Sequence, residues 1–358
     1  MALPGAVLPA LLSRLSLGDS QAGLLFFLGW MGTSLGALVV RPPVARSVAV
    51  GCSLVAIGAL GMAWGVDAIR WSCFVWMTIY GLGLGIAMTA TSLLQAARHA
   101  DKRGTELNRL NLIWAIGACI CPSLAAHSLR IANVRVIFSA LGLFFALVCV
   151  WVLAFEHDPE TSSARQQLLG KRFSLQKLSM WPLPLVLMIF LPTGIESSMG
   201  GWTAAYVQRT QQTIAATVTA SSCFWGGLLF SRMLSSSVLS RMLSERWVLI
   251  QSLCTVVFGA VLLIASTSTL GILSSVFLVG FGLGPIYPLL LAIALQYSEN
   301  TTIFFCAGLG SAFLPWLTGM VSSASTSLRV GLFVPLAASI LMLILGIRLL
   351  AIDNVQVD

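Results

Sequence analysis

Glu196 stands in the middle of an apolar run, Leu191-Pro192-Thr193-Gly194-Ile195-Glu196-Ser197-Ser198-Met199-Gly200-Gly201-Trp202, where a carboxylate is out of place. The other acids of the chain fall in or beside the polar breaks between such runs. A charge at that depth is costly in hydrocarbon, so it is expected to face a wet cavity or a partner. Other residues suited to a binding site accompany it. Asn108, Asn111 and Trp114 recur at i, i+3 and i+6, which sets two amides and an indole on one broad helix face. Amides and indole N–H groups hydrogen-bond hydroxylated ligands, and aromatic faces stack on sugar rings. Trp202, Tyr206, Trp225 and Tyr287 extend this substrate-binding set, although Trp202 and Tyr206 equally suit a membrane-interface belt and Asn108 a helix end. Arg232 is the one basic residue well inside an apolar run, so Glu196 and Arg232 are the candidates for gating or coupling. Counted at 1.5 Å per residue from the ends of their runs, Glu196 lies ~22 Å and Arg232 ~12 Å deep, so a pair between them requires tilt. A snorkelling Arg232 bound to helix-end carbonyls is the competing reading.

The elements that must position these residues are membrane helices. The 358 residues are 58% hydrophobic and 9% charged, far from the balance of a soluble globule. Apolar runs near the ~20 residues needed to cross a bilayer recur along the chain, at 1–16, 21–40, 47–66, 70–95, 108–128, 133–155, 181–207, 214–240, 247–267, 270–297, 302–323 and 328–351. They are continuous rather than alternating, which excludes a β-barrel. The polar stretch 156–180 divides twelve runs into six and six: a bundle over 1–155, a linker, and a bundle over 181–358. Basic residues gather on the linker's side, which places the linker and C-terminus in the cytoplasm and the chain, multi-pass, in the cell (inner) membrane. The net charge of +8 therefore reads as an orientation signal, not as a nucleic-acid surface. Eight cysteines lie within apolar runs and the three histidines are scattered, so neither metal nor cofactor is expected. No catalytic pair converges, which argues against an enzyme.

The halves pair off internally. Gly117 and Pro122 match Gly310 and Pro315, Gly81, Gly83 and Gly85 match Gly280, Gly282 and Gly284, and Trp30 matches Trp225, in the same order and at a nearly constant offset. Carried back from Glu196, that offset lands on Met1, so the first run is expected to be a truncated helix. Pro285 and Pro288 are expected to bend the tenth run, and Gly81, Gly83 and Gly85 to allow close packing.

This architecture resembles the major facilitator superfamily. Gly194 to Tyr206, Phe281 to Pro288, and Phe224-Trp225-Gly226 followed by Ser231-Arg232 resemble spans 7, 10 and 8 of its fucose permease-like sugar porters. The loop Gly36 to Arg46 lacks the acid usual there, and span 4 lacks the carboxylate used for proton coupling in that group. The resemblance implies two pseudo-symmetric six-helix bundles that carry a small solute, with a sugar as one candidate, by alternating access. A proton or sodium ion would accompany the solute in symport, and the carrier would act as a monomer in the lipid bilayer. Efflux of amphipathic compounds on the same fold and a non-transporting receptor remain open at this stage.

Overall fold

A computed structural model describes residues 2–41, 43–69, 71–99, 103–155, 183–211, 213–235, 244–297 and 302–355. The expected linker, 156–180, lies outside the described residues. Among the described residues there is helix and no strand. The helices are α1 (Ala2–Leu15), α2 (Asp19–Val39), α3 (Val44–Gly65), α4 (Ser72–Arg98), α5 (Arg103–Ile131), α6 (Val134–Phe155), α7 (Leu183–Gln211), α8 (Ile214–Leu234), α9 (Glu245–Ala265), α10 (Thr269–Tyr297), α11 (Thr302–Ser325), the single turn α12 (Leu328–Gly331) and α13 (Phe333–Val355). Nine spans among the described residues are long and apolar enough to cross a membrane. The site-bearing α7 and α8 and the short α1 are the helices outside that set. The expected last run is broken at Leu332, between α12 and α13.

Helix α6 ends and α7 begins at one end of the molecule, called here the linker end. The opposite, far end carries the α1–α2 and α3–α4 turns. Helices α2, α3, α4 and α6 pack together around a core that includes Val55, Met62, Met77 and Phe138. Helices α7, α8, α9, α10 and α13 share another core, into which Leu8, Ala22, Phe26 and Ala118 project from the first half.

The duplication read from glycine spacing reappears as matched contacts. A Cβ on Gly81 of α4 would collide with the Gly29 carbonyl of α2, and one on Gly280 of α10 with the Phe224 carbonyl of α8. One turn on, Gly85 abuts Thr33 and Gly284 abuts Leu228 and Ser231. Each glycine lets two backbones approach to a distance that no side chain allows. The α2–α4 and α8–α10 pairs are therefore built alike.

Candidate binding site

A central cavity of about 1080 Å³ lies between the halves, with walls from α2, α4, α5 and α6 on one side and α7, α8, α10 and α11 on the other. Val48, Arg98, Trp151, Ser235, Val248 and Leu291 line it near the linker-end termini of their helices, so that is where it opens. Its inner end holds Thr33, Ser34, Glu196, Ser197, Arg232 and Tyr287.

Glu196 and Arg232 meet there. Arg232 Nη2 stands 3.6 Å from Glu196 Oε2, with both side chains about one-fifth exposed. Two features of α10 direct the guanidinium. Gly284 brings its backbone against Ser231 and Leu228, which leaves Arg232 little room on that side. Pro288 lacks the N–H that would bond the Gly284 carbonyl four residues earlier. That carbonyl instead accepts Arg232 Nε at 3.3 Å. Pro285 and Pro288 leave α10 a single helix, and both line the cavity. Arg232 thus makes both expected contacts at once, with the carboxylate and with a helix carbonyl. Its stem closes the depth difference that had separated the pair on paper.

Arg232 also reaches the other half. Its Cζ lies 5.7 Å from the ring centre of Trp114 on α5. Trp114 in turn meets Trp225 edge-on at 5.8 Å. Farther along the same seam Ser123 and Ser222 hydroxyls are 3.3 Å apart. Of the substrate-binding candidates, Glu196, Asn111, Trp114 and Tyr287 line the cavity. Asn108 lies on α5, but its side chain is outside the described residues.

Trp202, Trp225 and Tyr206 are placed elsewhere. Trp202 is fully buried, donates Nε1–H to the Pro315 carbonyl at 2.9 Å and packs edge-on against Phe26 at 5.9 Å. Tyr206 is buried, with its hydroxyl 3.5 Å from the Leu263 carbonyl. Buried aromatics with a polar atom need such partners, which makes Trp202 and Tyr206 core residues rather than belt residues. Trp225 lies behind Trp114 and supports it without lining the cavity.

Several lining residues were missed. Trp30, Thr33 and Ser34 of α2 and Gln95 of α4 carry no charge to mark them in sequence. Thr193 and Ser197 flank Glu196 and could have been found as its helical neighbours. Thr193 Oγ1 donates to the Ala307 carbonyl at 2.7 Å, and Ser311 Oγ donates to the Thr193 carbonyl at 3.3 Å, which ties α7 to α11 beside the carboxylate.

The far end is closed. Arg209 of α7 forks onto Asp19 of α2 at 2.6 and 2.8 Å, and Ser322 of α11 donates to the same carboxylate at 2.5 Å. Asp19 is only 11% exposed. Beneath it α2 and α11 nearly touch: a Cβ on Gly319 would stand 2.5 Å from the Asp19 carbonyl oxygen, and one on Gly23 would stand 2.9 Å from that of Trp316. Gly5 of α1 abuts Gly200 of α7 in the same way.

A sequence model described as Major Facilitator Superfamily matches residues 1–305. The chain belongs to the major facilitator superfamily. It is 23% identical over 290 residues to the glucose/mannose transporter GlcP of Bacillus subtilis (strain 168), covering 75% of this chain and 71% of that protein. The xylose transporter XylE from E. coli, in a partially occluded inward open conformation, superposes with a TM-score of 0.73 at 13% identity, over 97% of this chain and 92% of that one. The fucose:proton symporter FucP from E. coli gives 0.60 at 15% identity, over 96% and 94%. The nucleoside transporter NupG gives 0.72 at 12% identity, over 98% and 93%. These structures share the twelve-helix fold.

Proposed function

We propose that this transporter carries a small, uncharged, polyhydroxylated solute of the monosaccharide class by alternating access, and that the structure is its cytoplasm-open state in the cell membrane. The observation that carries the reading is a cavity sealed at the far end, open at the linker end, and holding a charge-balanced pair at its head. Glu196 and Arg232 cancel, which favours a neutral ligand over an ion. Among the described residues the side chains of Gln95, Asn111, Ser197 and Tyr287 have no hydrogen-bond partner, so their donors and acceptors are available to ligand hydroxyls. Trp30 and Trp114 supply rings for stacking. The glucose/mannose, xylose and fucose specificities named for the relatives support the same class.

Among the described residues Glu196 is the only carboxylate lining the cavity. We assign it the coupling proton. When protonated it releases Arg232, which then rests on Trp114 and the Gly284 carbonyl. In proteoliposomes, an inward proton gradient should drive uptake of one of glucose, mannose, xylose or fucose. Glu196→Gln should cut gradient-driven uptake by about 10- to 100-fold, the scale of one lost hydrogen bond to a charged group. Unchanged transport with wild-type pH dependence removes Glu196 from the mechanism.

The lower walls favour a second reading, because Met88, Ile113, Phe145 and Trp151 make the mouth apolar. An exporter of amphipathic compounds uses such a mouth. It would move dye outward against a gradient and ignore all four sugars.

A further inference from the structure

A smaller pocket of about 360 Å³ lies on the flank of the second half, between α8, α9 and α10 near the linker end. Val248 and Pro285 line both this pocket and the central cavity, so the wall between them is one residue thick. The pocket is polar for its place. Ser231 and Thr255 bond to carbonyls of their own helices, Leu228 and Gln251. The Ser252 hydroxyl and the Gln251 amide have no hydrogen-bond partner among the described residues, although Ser252 is only 7% exposed. Measured from Glu245 along α9, these two groups lie ~9–10 Å in, about where headgroups give way to hydrocarbon. The flank beside it is apolar and open: Phe230, 6.1 Å from the lining Phe281, is more than half exposed, as are Trp247 and Phe258, one turn to either side of Gln251 and Thr255 on α9, and Cys254 is exposed on the lining itself.

Two unpaired donors at that depth, with an apolar flank beside them, fit an amphiphile whose acceptors sit between a head and a tail. Sugars lack the tail, and free fatty acids bring a charge for which the lining offers no cation among the described residues. We propose that this pocket is a binding site for the glycerol–ester region of a phospholipid from the cytoplasmic leaflet. The Ser252 hydroxyl and the Gln251 amide donate to its ester carbonyls, and an acyl chain lies over Phe281 and Phe230. The occupant braces Val248 and Pro285, the wall it shares with the cavity. This site is independent of which solute the cavity carries.

The test uses the full chain in nanodiscs containing phosphatidylglycerol with a diazirine beside its sn-2 ester. After irradiation, adducts should concentrate on Val248 to Thr255 and on Phe281. Enrichment over the exposed α6 flank at Leu147 and Val150 should be at least about fivefold, the scale of one net hydrogen bond. Gln251→Leu combined with Ser252→Ala should remove the enrichment while leaving α6 labelling unchanged. In detergent, phosphatidylglycerol should slow maleimide labelling of Cys254 in the unmutated chain, and glucose should not. Labelling spread evenly around the bundle, enrichment that survives the double variant, or Cys254 protected by glucose instead of lipid would each overturn the proposal.

Discussion

The far end and the linker end of this molecule are made from the same long helices, yet one is sealed and the other is open. At the far end charged and small residues work together: a forked ion pair and a hydroxyl converge on Asp19, and glycines beneath them let α2 meet α11 and α1 meet α7 backbone to backbone. At the linker end the cavity is faced instead with larger side chains, among them Met88 of α4, Trp151 of α6 and Leu291 of α10. The difference teaches that, in this state, the far end is held by small side chains that let backbones meet and by one charge constellation.

Breaking the charge constellation should have the larger effect. Asp19→Asn, or Arg209→Gln, leaves the other partner without its opposite charge. Either should raise far-side maleimide labelling of a Ser198→Cys reporter about tenfold in a cysteine-free background, within the usual range of coupling energies. Ser198 is fully buried beneath the seal, so its reactivity reports opening directly. Labelling that stays at the background rate would show that packing alone holds the end shut. Gly319→Ala tests the steric component while keeping every charged group. Its new methyl presses on both the Asp19 carbonyl and the Trp202 ring, and labelling should rise by about threefold with both charged partners present.

The smallest effect belongs to Asp67, a far-end carboxylate within one half. Arg14 bonds it at 2.6 Å and Arg135 approaches to 3.5 Å. The Arg14 hydrogen bond, with the nearby Arg14 and Arg135 charges, holds its carboxyl below the ordinary value of 3.8. A lowered folded value means that its contribution is present above the unfolded value and disappears as pH falls through the folded one. Asp67→Asn should therefore lower the thermal midpoint slightly at pH 7, with the gap closing below pH 3.8, and leave Ser198→Cys labelling unchanged. A change in that labelling would extend the seal beyond Asp19.

Much of this was legible in the sequence for definite reasons. Glu196 announced itself because a carboxylate within an apolar run has few structural excuses. The matched glycines exposed the duplication because backbone contact tolerates nothing else. Arg232 was harder, since depth counted along helices ignores the reach of a side chain and the free carbonyl that Pro288 leaves on Gly284. Trp202 looked like lining because an indole suits a sugar as well as it suits a core. Its partner, the Pro315 carbonyl, depends on the register of α7 against α11, which no single-chain pattern reports. Asp19 passed for an ordinary turn residue, because its ion pair joins residues far apart in the chain.

Glu196 and Arg232 both ride on the second half of the molecule. If the proposed alternating access moves that half with the carboxylate ionised, opposite charges move together and the electrical work nearly vanishes. With the acid neutralised, one positive charge moves instead, and the membrane potential acts on it at about 2.3 kcal/mol per 100 mV for a full crossing. The empty carrier should thus reset at a rate indifferent to voltage, while the loaded carrier feels the field.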